Sequence, residues 1–201
     1  MAGNVCPVWV GYLLSSPLRK MLQDPESFLS PYVKPGMRVG DIGCAMGFFS
    51  IPMAGLVGDT GRVVCVDIQE KMLKNLKRRA AKAGVGEVMD YRLCDEASFH
   101  LASPGNPFDF MLASAVVHEV PEPGRLFQEA FEELKPGGRL LVSEPSGHVS
   151  RQTFEEEIAT AEACGFRVTE TLAIRRTHAV ILERPAAVEG GDGNGKAEMA
   201  R

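Results

Sequence analysis

The sequence predicts an α/β fold, a doubly wound sheet of seven strands, on three observations. Apolar runs alternate with amphipathic stretches of helical period from residue 37 to residue 164. The segment Phe108-Asp109-Phe110-Met111-Leu112-Ala113 is apolar at nearly every position, as a central parallel strand covered on both faces requires. Two β-rich runs, 166–174 and 177–183, follow the last helix and are separated only by Arg175-Arg176, which reads as a hairpin.

Each element has a local reason. Asp24 is placed to cap a helix with Pro25 at its first position, so the helical pattern between residues 18 and 33 divides into two short helices that Pro35-Gly36 ends. Strands are expected at 37–42 and 62–67 with a helix at 48–57 between them. The charged amphipathic stretch 70–83 is a helix that Gly84 closes. Residues 87–93, 108–113 and 139–144 supply the third, fourth and fifth strands, and 122–134 a helix. The last helix, 150–164, takes Ser150 as its cap, acidic character in its first turn from Thr153 to Glu157, and Gly165 as its stop. Ligands of such a sheet bind outside the carboxyl ends of the strands, here where the first strand meets the fourth.

At that point Val39-Gly40-Asp41-Ile42-Gly43-Cys44-Ala45-Met46-Gly47 runs from an apolar strand through small residues into a helix, and Asp67 follows 26 positions after Asp41. Glycine lets backbone approach a ligand without a Cβ in the way, and an acid ending the next strand accepts hydrogen bonds from a ribose, so the expected ligand is an adenosine derivative. The dinucleotide fingerprint Gly-x-Gly-x-x-Gly is not met. Asp41, two positions before Gly43, would repel a pyrophosphate but suits the amino group of a cationic, methionine-bearing donor. The rival is a plain tight strand-to-helix turn.

The loop, Asp67 and the later Leu134-Lys135-Pro136-Gly137-Gly138 resemble the class I S-adenosylmethionine-dependent methyltransferases over residues 35–184. The resemblance implies a Rossmann-like sheet whose last strand is antiparallel, S-adenosyl-L-methionine as cofactor, and methyl transfer to a small-molecule acceptor. In the 114–121 loop it is closest to quinone-biosynthesis and arsenite-type members. Ala45 replaces the family's middle glycine and is comfortable only with a negative φ. A donor-binding module without catalysis, acting as sensor or partner subunit, is the alternative.

The resemblance assigns the cofactor crevice to Asp41, Gly43, Cys44, Ala45 and Gly47, to Asp67 with Ile68 and Met72 near the adenine, and to Cys94, Asp95 and Glu96 after the third strand. Asp95 is otherwise a helix cap. Ser114 opens the loop after the fourth strand, where the transferred methyl must lie. His118 in that loop is a candidate general base, since an imidazole takes a proton near neutrality. The other reading is that it only shapes the pocket. Glu144 is expected to face the same mouth and position a polar acceptor, with Glu119 and His148 beside it. A metal cluster of His118, Glu144 and His148 with Cys6 lacks sequence proximity, and no metal is expected.

Residues 1–34 form an amino-terminal helical lid segment whose Trp9, Tyr12 and Leu13 would cover the substrate, 35–184 the catalytic domain, and 185–201 a disordered glycine-rich tail. A net charge of −4 argues against a nucleic-acid partner, because the cluster Lys74, Lys77, Arg78, Arg79 and Lys82 reads as one helix's solvated face. Five scattered cysteines without a preceding signal peptide point to reduced thiols in a cytoplasmic protein. No apolar run suits a bilayer, so no membrane partner is expected; a homodimer is left open.

Overall fold

The computed structural model describes residues 24–95 and 97–186. Trp9, Tyr12, Leu13, Cys6 and Glu96, with all but the start of the expected tail, lie outside them. A short helix α1 (Pro25–Leu29) precedes β1 (Arg38–Ile42), α2 (Ser50–Val57), β2 (Arg62–Asp67), α3 (Glu70–Ala83), β3 (Met89–Leu93) and β4 (Phe108–Ser114). Then come α4 (Pro123–Glu133), β5 (Leu134–Pro145), α5 (Arg151–Ala163), β6 (Arg167–Thr171) and β7 (Thr177–Glu183). The seven strands lie in the order β3-β2-β1-β4-β5-β7-β6, and β7 runs antiparallel to both of its neighbours.

Local signals account for most boundaries. The Asp24 carboxylate accepts from the Glu26 amide at 3.1 Å and starts α1 one residue before Pro25. Gly84 adopts φ +75° and closes α3. The Ser150 hydroxyl accepts from the Thr153 amide at 3.1 Å and caps α5. The acidic first turn expected for α5 is absent, since Glu155, Glu156 and Glu157 fall one turn further in. Arg176 takes φ +59° in the hairpin, where Ile174 bridges Thr177.

Three expectations shift. Residues 44–49 stay in a turn, so α2 begins at Ser50. Gly86–Val88 forms a 3₁₀ turn, which shortens β3. The Lys-Pro-Gly-Gly segment lies inside a longer β5: Gly137 N donates to Arg184 O at 2.7 Å and Arg184 N to Gly138 O at 2.9 Å, extending the pairing with the chain after β7.

Both faces of the sheet are covered. On one, α4 and α5 bring Leu126, Phe127, Phe154 and Ile158 against Met111, Ala113, Leu140 and Val142. On the other, α1, α2 and α3 bring Leu29, Met53, Leu73 and Leu76 against Val39, Val63, Phe110 and Leu112. Strand β4 therefore feeds alternate residues to opposite cores, the reason for its continuous apolar run. Among the described residues no helix is long and apolar enough to cross a membrane.

Candidate functional site

The carboxyl ends of β1, β2 and β4 meet where the strand order reverses. Gly43 N and Cys44 N both donate to Val66 O, at 2.9 and 3.0 Å, tying the turn after β1 to the end of β2. Gly43 has φ +72°, and a Cβ there would stand 2.6 Å from Val116 Cγ2, so this turn and the β4 loop touch only because the residue is glycine. Gly47 has φ +80° and leaves room for Leu76 of α3.

Asp67 is the hub of this corner. Its carboxylate accepts from Ala45 N at 2.9 Å and from Gln69 N at 2.8 Å, and its carbonyl accepts from Cys94 N at 3.1 Å. One residue thus fixes the loops after β1, β2 and β3. Ala45 has φ +44°, not the negative value expected for it, in the same turn in which its amide donates to Asp67. Burial raises the Asp67 carboxyl above its ordinary range, and the two amides oppose that shift.

Asp41 is 3% exposed and accepts a short hydrogen bond from the Ser50 hydroxyl. Burial pushes its carboxyl up to about 7, the Asp67 charge adds to this, and Ser50 counters it. The acid proposed for the donor's amino group is therefore inside the strand, reached through the turn and not from open solvent. Burial raises the Cys44 thiol well above its usual range and the Cys94 thiol to about 11, which disfavours the thiolate form at both.

Residues expected near an adenine separate. Ile68 is 43% exposed at the end of β2, whereas Met72 is buried in α3. Leu93, which pairs with Asp67 across β2 and β3, is 50% exposed, and sequence reasoning missed it. Ile68 and Leu93 each leave an exposed apolar side chain near Asp67, one next to it in the chain and one in register with it across β2 and β3. Asp95 closes its own loop, accepting from Ala97 N at 2.7 Å and Ser98 N at 3.0 Å, with His100 Nε2 at 3.2 Å; these bonds hold its carboxyl below the usual range. It is a loop cap in place of the helix cap considered for it.

A second cluster surrounds the β4 loop. Ser114 accepts from the Ser143 hydroxyl at 2.9 Å, and Ala115 turns the chain with φ +53°. Glu144, fully buried in β5, accepts from Val116 N at 3.2 Å and Val117 N at 2.8 Å through Oε1, and its Oε2 lies 2.6 Å from His118 Nδ1. Among the described residues all of its hydrogen bonds go to the loop, so it holds His118 in place. The bond to Glu144 raises the His118 imidazole above its ordinary range, and partial burial opposes this. With Nδ1 held by Glu144, Nε2 has no partner among the described residues. The His148 ring lies 6.4 Å from that of His118, nearly parallel to it, and Glu119 sits in the same 3₁₀ turn as His118.

Beside His118 opens a cleft of about 340 Å³ between the β4 loop and α5. Glu157 lines it, 7% exposed, with Oε2 unpartnered among the described residues. The run Glu155-Glu156-Glu157 gave no signal for which of the three turns inward. Among the described residues, no three His, Cys, Asp or Glu side chains are arranged to hold a metal ion.

Residues 33–177 match the model of a family described as a methyltransferase domain. The chain is 33% identical over 112 residues, 56% of its own length and 43% of the relative's, to the ubiquinone/menaquinone biosynthesis C-methyltransferase UbiE of Hydrogenovibrio crunogenus. It is 30% identical to the protein of the same name from Cronobacter sakazakii, over 68% of this chain and 52% of that one. The chain thus spans about half the length of the curated relatives it matches. A solved SAM-dependent methyltransferase from Aquifex aeolicus superposes with a TM-score of 0.78 at 25% identity, over 89% of this chain and 99% of that one.

Proposed function

Because the chain belongs to the methyltransferase domain family, we propose that it binds S-adenosyl-L-methionine across the β1–β4 crevice and directs its methyl to a small molecule held beside His118. The match to that family over residues 33–177, which spans every wall of the crevice, carries this reading. The side chains fit such a donor. Asp67 offers a carboxylate to ribose hydroxyls, Ile68 and Leu93 exposed apolar side chains near it to the base, and Asp41 a negative charge that a nearby cation would stabilise.

When bound, the donor supplies a methyl on a sulfonium, which an in-line nucleophile displaces to leave a thioether. The protein's part is alignment and, for a protonated acceptor, proton removal. Glu144 holds Nδ1 of His118 as a donor, so Nε2 carries the lone pair that takes the acceptor's proton. A carbon acceptor of the kind named for the UbiE relatives would need that proton removed as its new bond forms.

Calorimetry with S-adenosylmethionine and S-adenosylhomocysteine tests the reading. Saturable binding is expected, weakened roughly 10- to 100-fold in Asp67→Ala, as loss of charge-assisted bonds implies. No heat with either ligand refutes it. Incubation with isotopically labelled donor and a metabolite extract then identifies the acceptor as the compound that gains label.

A further inference from the structure

We propose that the cleft between the β4 loop and α5 binds a neutral, hydroxyl-bearing apolar molecule whose hydroxyl donates to Glu157, and that this molecule is the methyl acceptor. The identification as acceptor rests on the function proposed above; the binding site itself does not.

Glu157 lines an open cleft, and its Oε2 is shielded from solvent and lacks any hydrogen-bond partner among the described residues. A buried acceptor left unpaired is costly, and groups of this kind gather where a ligand completes them. The neighbouring helical positions are ordinary by contrast: Glu155 is paired with Arg151 at 2.9 Å, and Glu156 accepts from Gln152 at 3.1 Å.

The lining selects the ligand class. Val120, Pro121 and Pro123 give an apolar wall, while Glu156, Glu157 and Thr160 give a polar one. No lysine or arginine lines the cleft, and Glu144 lies buried behind His118, so a carboxylate or phosphate would face like charge. An ammonium group would have to shed its hydration against the apolar wall. A hydroxyl donor does neither. Burial, with the Glu144 charge second, pushes the Glu157 carboxyl up to about 7, the response of an acid that lacks a donor. The volume suits a single ring with small substituents. His118 lines the same cleft, so a hydroxyl anchored at Glu157 keeps the remainder of the molecule within reach of the base.

Phenol, benzylamine and benzoate share one frame and differ in head group. With the full chain saturated by S-adenosylhomocysteine, phenol is expected to shift the amide resonances of Val120, Thr153 and Thr160 saturably. Benzylamine should bind more weakly and benzoate not at all. Glu157→Leu should weaken phenol about 10-fold or more while raising the melting temperature, because it removes an unpaired buried polar group. A residue with a merely structural role would lower it. Should Glu157→Leu fail to fold, Val120→Trp, which fills the cleft, must abolish the phenol shifts. Phenol binding unchanged in either folded variant, shifts lying elsewhere, or benzoate or benzylamine matching phenol overturns the proposal. Failure of S-adenosylhomocysteine to bind would refute the function proposed above; phenol silence on the loaded protein refutes this inference alone.

Discussion

Replacing Glu144 with glutamine exchanges one oxygen for an NH₂ at constant shape, in the least solvated part of the site. The carboxylate makes three bonds, to Val116 N, Val117 N and His118 Nδ1, the last at 2.6 Å with the acid fully buried. In Glu144→Gln the remaining oxygen can keep the two amides, which turns the NH₂ toward the imidazole. Nδ1 must then accept, and the ring proton moves to Nε2, the atom that has to be free to take a proton. A hydrogen bond to a charged group contributes about 1.5–3 kcal/mol, and near 2–4 °C per kcal/mol this lowers the melting temperature by roughly 4–10 °C. Loss of general-base action costs about 10²–10⁴ in kcat/KM with an acceptor that must lose a proton. Histidine-selective NMR titration should show the His118 pKa fall and its tautomer change, while S-adenosylhomocysteine affinity stays near that of the parent. An unmoved titration, or full activity with an inverted tautomer, would refute the argument that Glu144 readies His118 as a base.

Other outcomes follow from the same geometry. Ala45→Gly relieves a left-handed alanine at φ +44° and should raise stability by up to about 1 kcal/mol in thermal melts, after the entropy glycine adds to the unfolded chain. Gly47→Ala places a Cβ 2.1 Å from Leu76 Cδ1 at φ +80° and should cost about 2–3 kcal/mol by denaturant titration. Asp41 and Glu157 rise from 3.8 and 4.5 to about 7, so between those limits the folded state holds more protons than the unfolded one and stability falls as pH rises. His118 acts in the same direction, since its stabilisation is complete below 6.5 and is lost as pH rises through its raised folded value. The ligand-free protein should therefore melt higher at pH 5.5 than at pH 8. A cationic donor favours ionised Asp41, so calorimetric affinity for S-adenosylmethionine should increase from pH 6 to pH 8 with proton release, a trend absent in Asp41→Asn.

The elements legible in the sequence were those fixed by their own residues. The helix 70–83 coincides with α3 because one amphipathic stripe and a terminating Gly84 specify both ends, and Arg62–Asp67 is an apolar run bounded by Gly61 and by the helix that follows. Boundaries set by distant partners shifted. The extension of β5 through Gly138 depends on Arg184, 46 positions away, whose guanidinium also donates to Phe131 O, Glu132 O and Leu134 O at the end of α4. The negative φ expected of an alanine fails at Ala45, which takes φ +44° in a turn tied to Asp67, 22 positions on. His118 and Glu144 were singled out separately; their juxtaposition needed the β4–β5 register, which pairs Ser114 with Ser143 and so brings the next residues of both strands together.

Burial supplies the discriminator that sequence lacked. Among the described residues the buried polar or charged side chains are Asp41, Ser50, Asp67, Asn75, Ser143, Glu144 and Glu157. Asn75 belongs to α3, where its amide donates to Lys71 O; the other six stand at the carboxyl edge of the sheet or in the helices facing it. Four of those six are acids, a concentration that folding alone disfavours, since a buried carboxylate must be matched by donors. Asp67 and Glu144 are matched by backbone amides, and Asp41 by a serine. Glu157 Oε2 alone among these has no donor. The fold thus carries acidity on both sides of His118: toward the crevice Asp41, with a serine donor and its carboxyl pushed up to about 7, and toward the cleft Glu157, whose Oε2 has no donor among the described residues. A cation bound on the first side and a hydroxyl on the second would satisfy both.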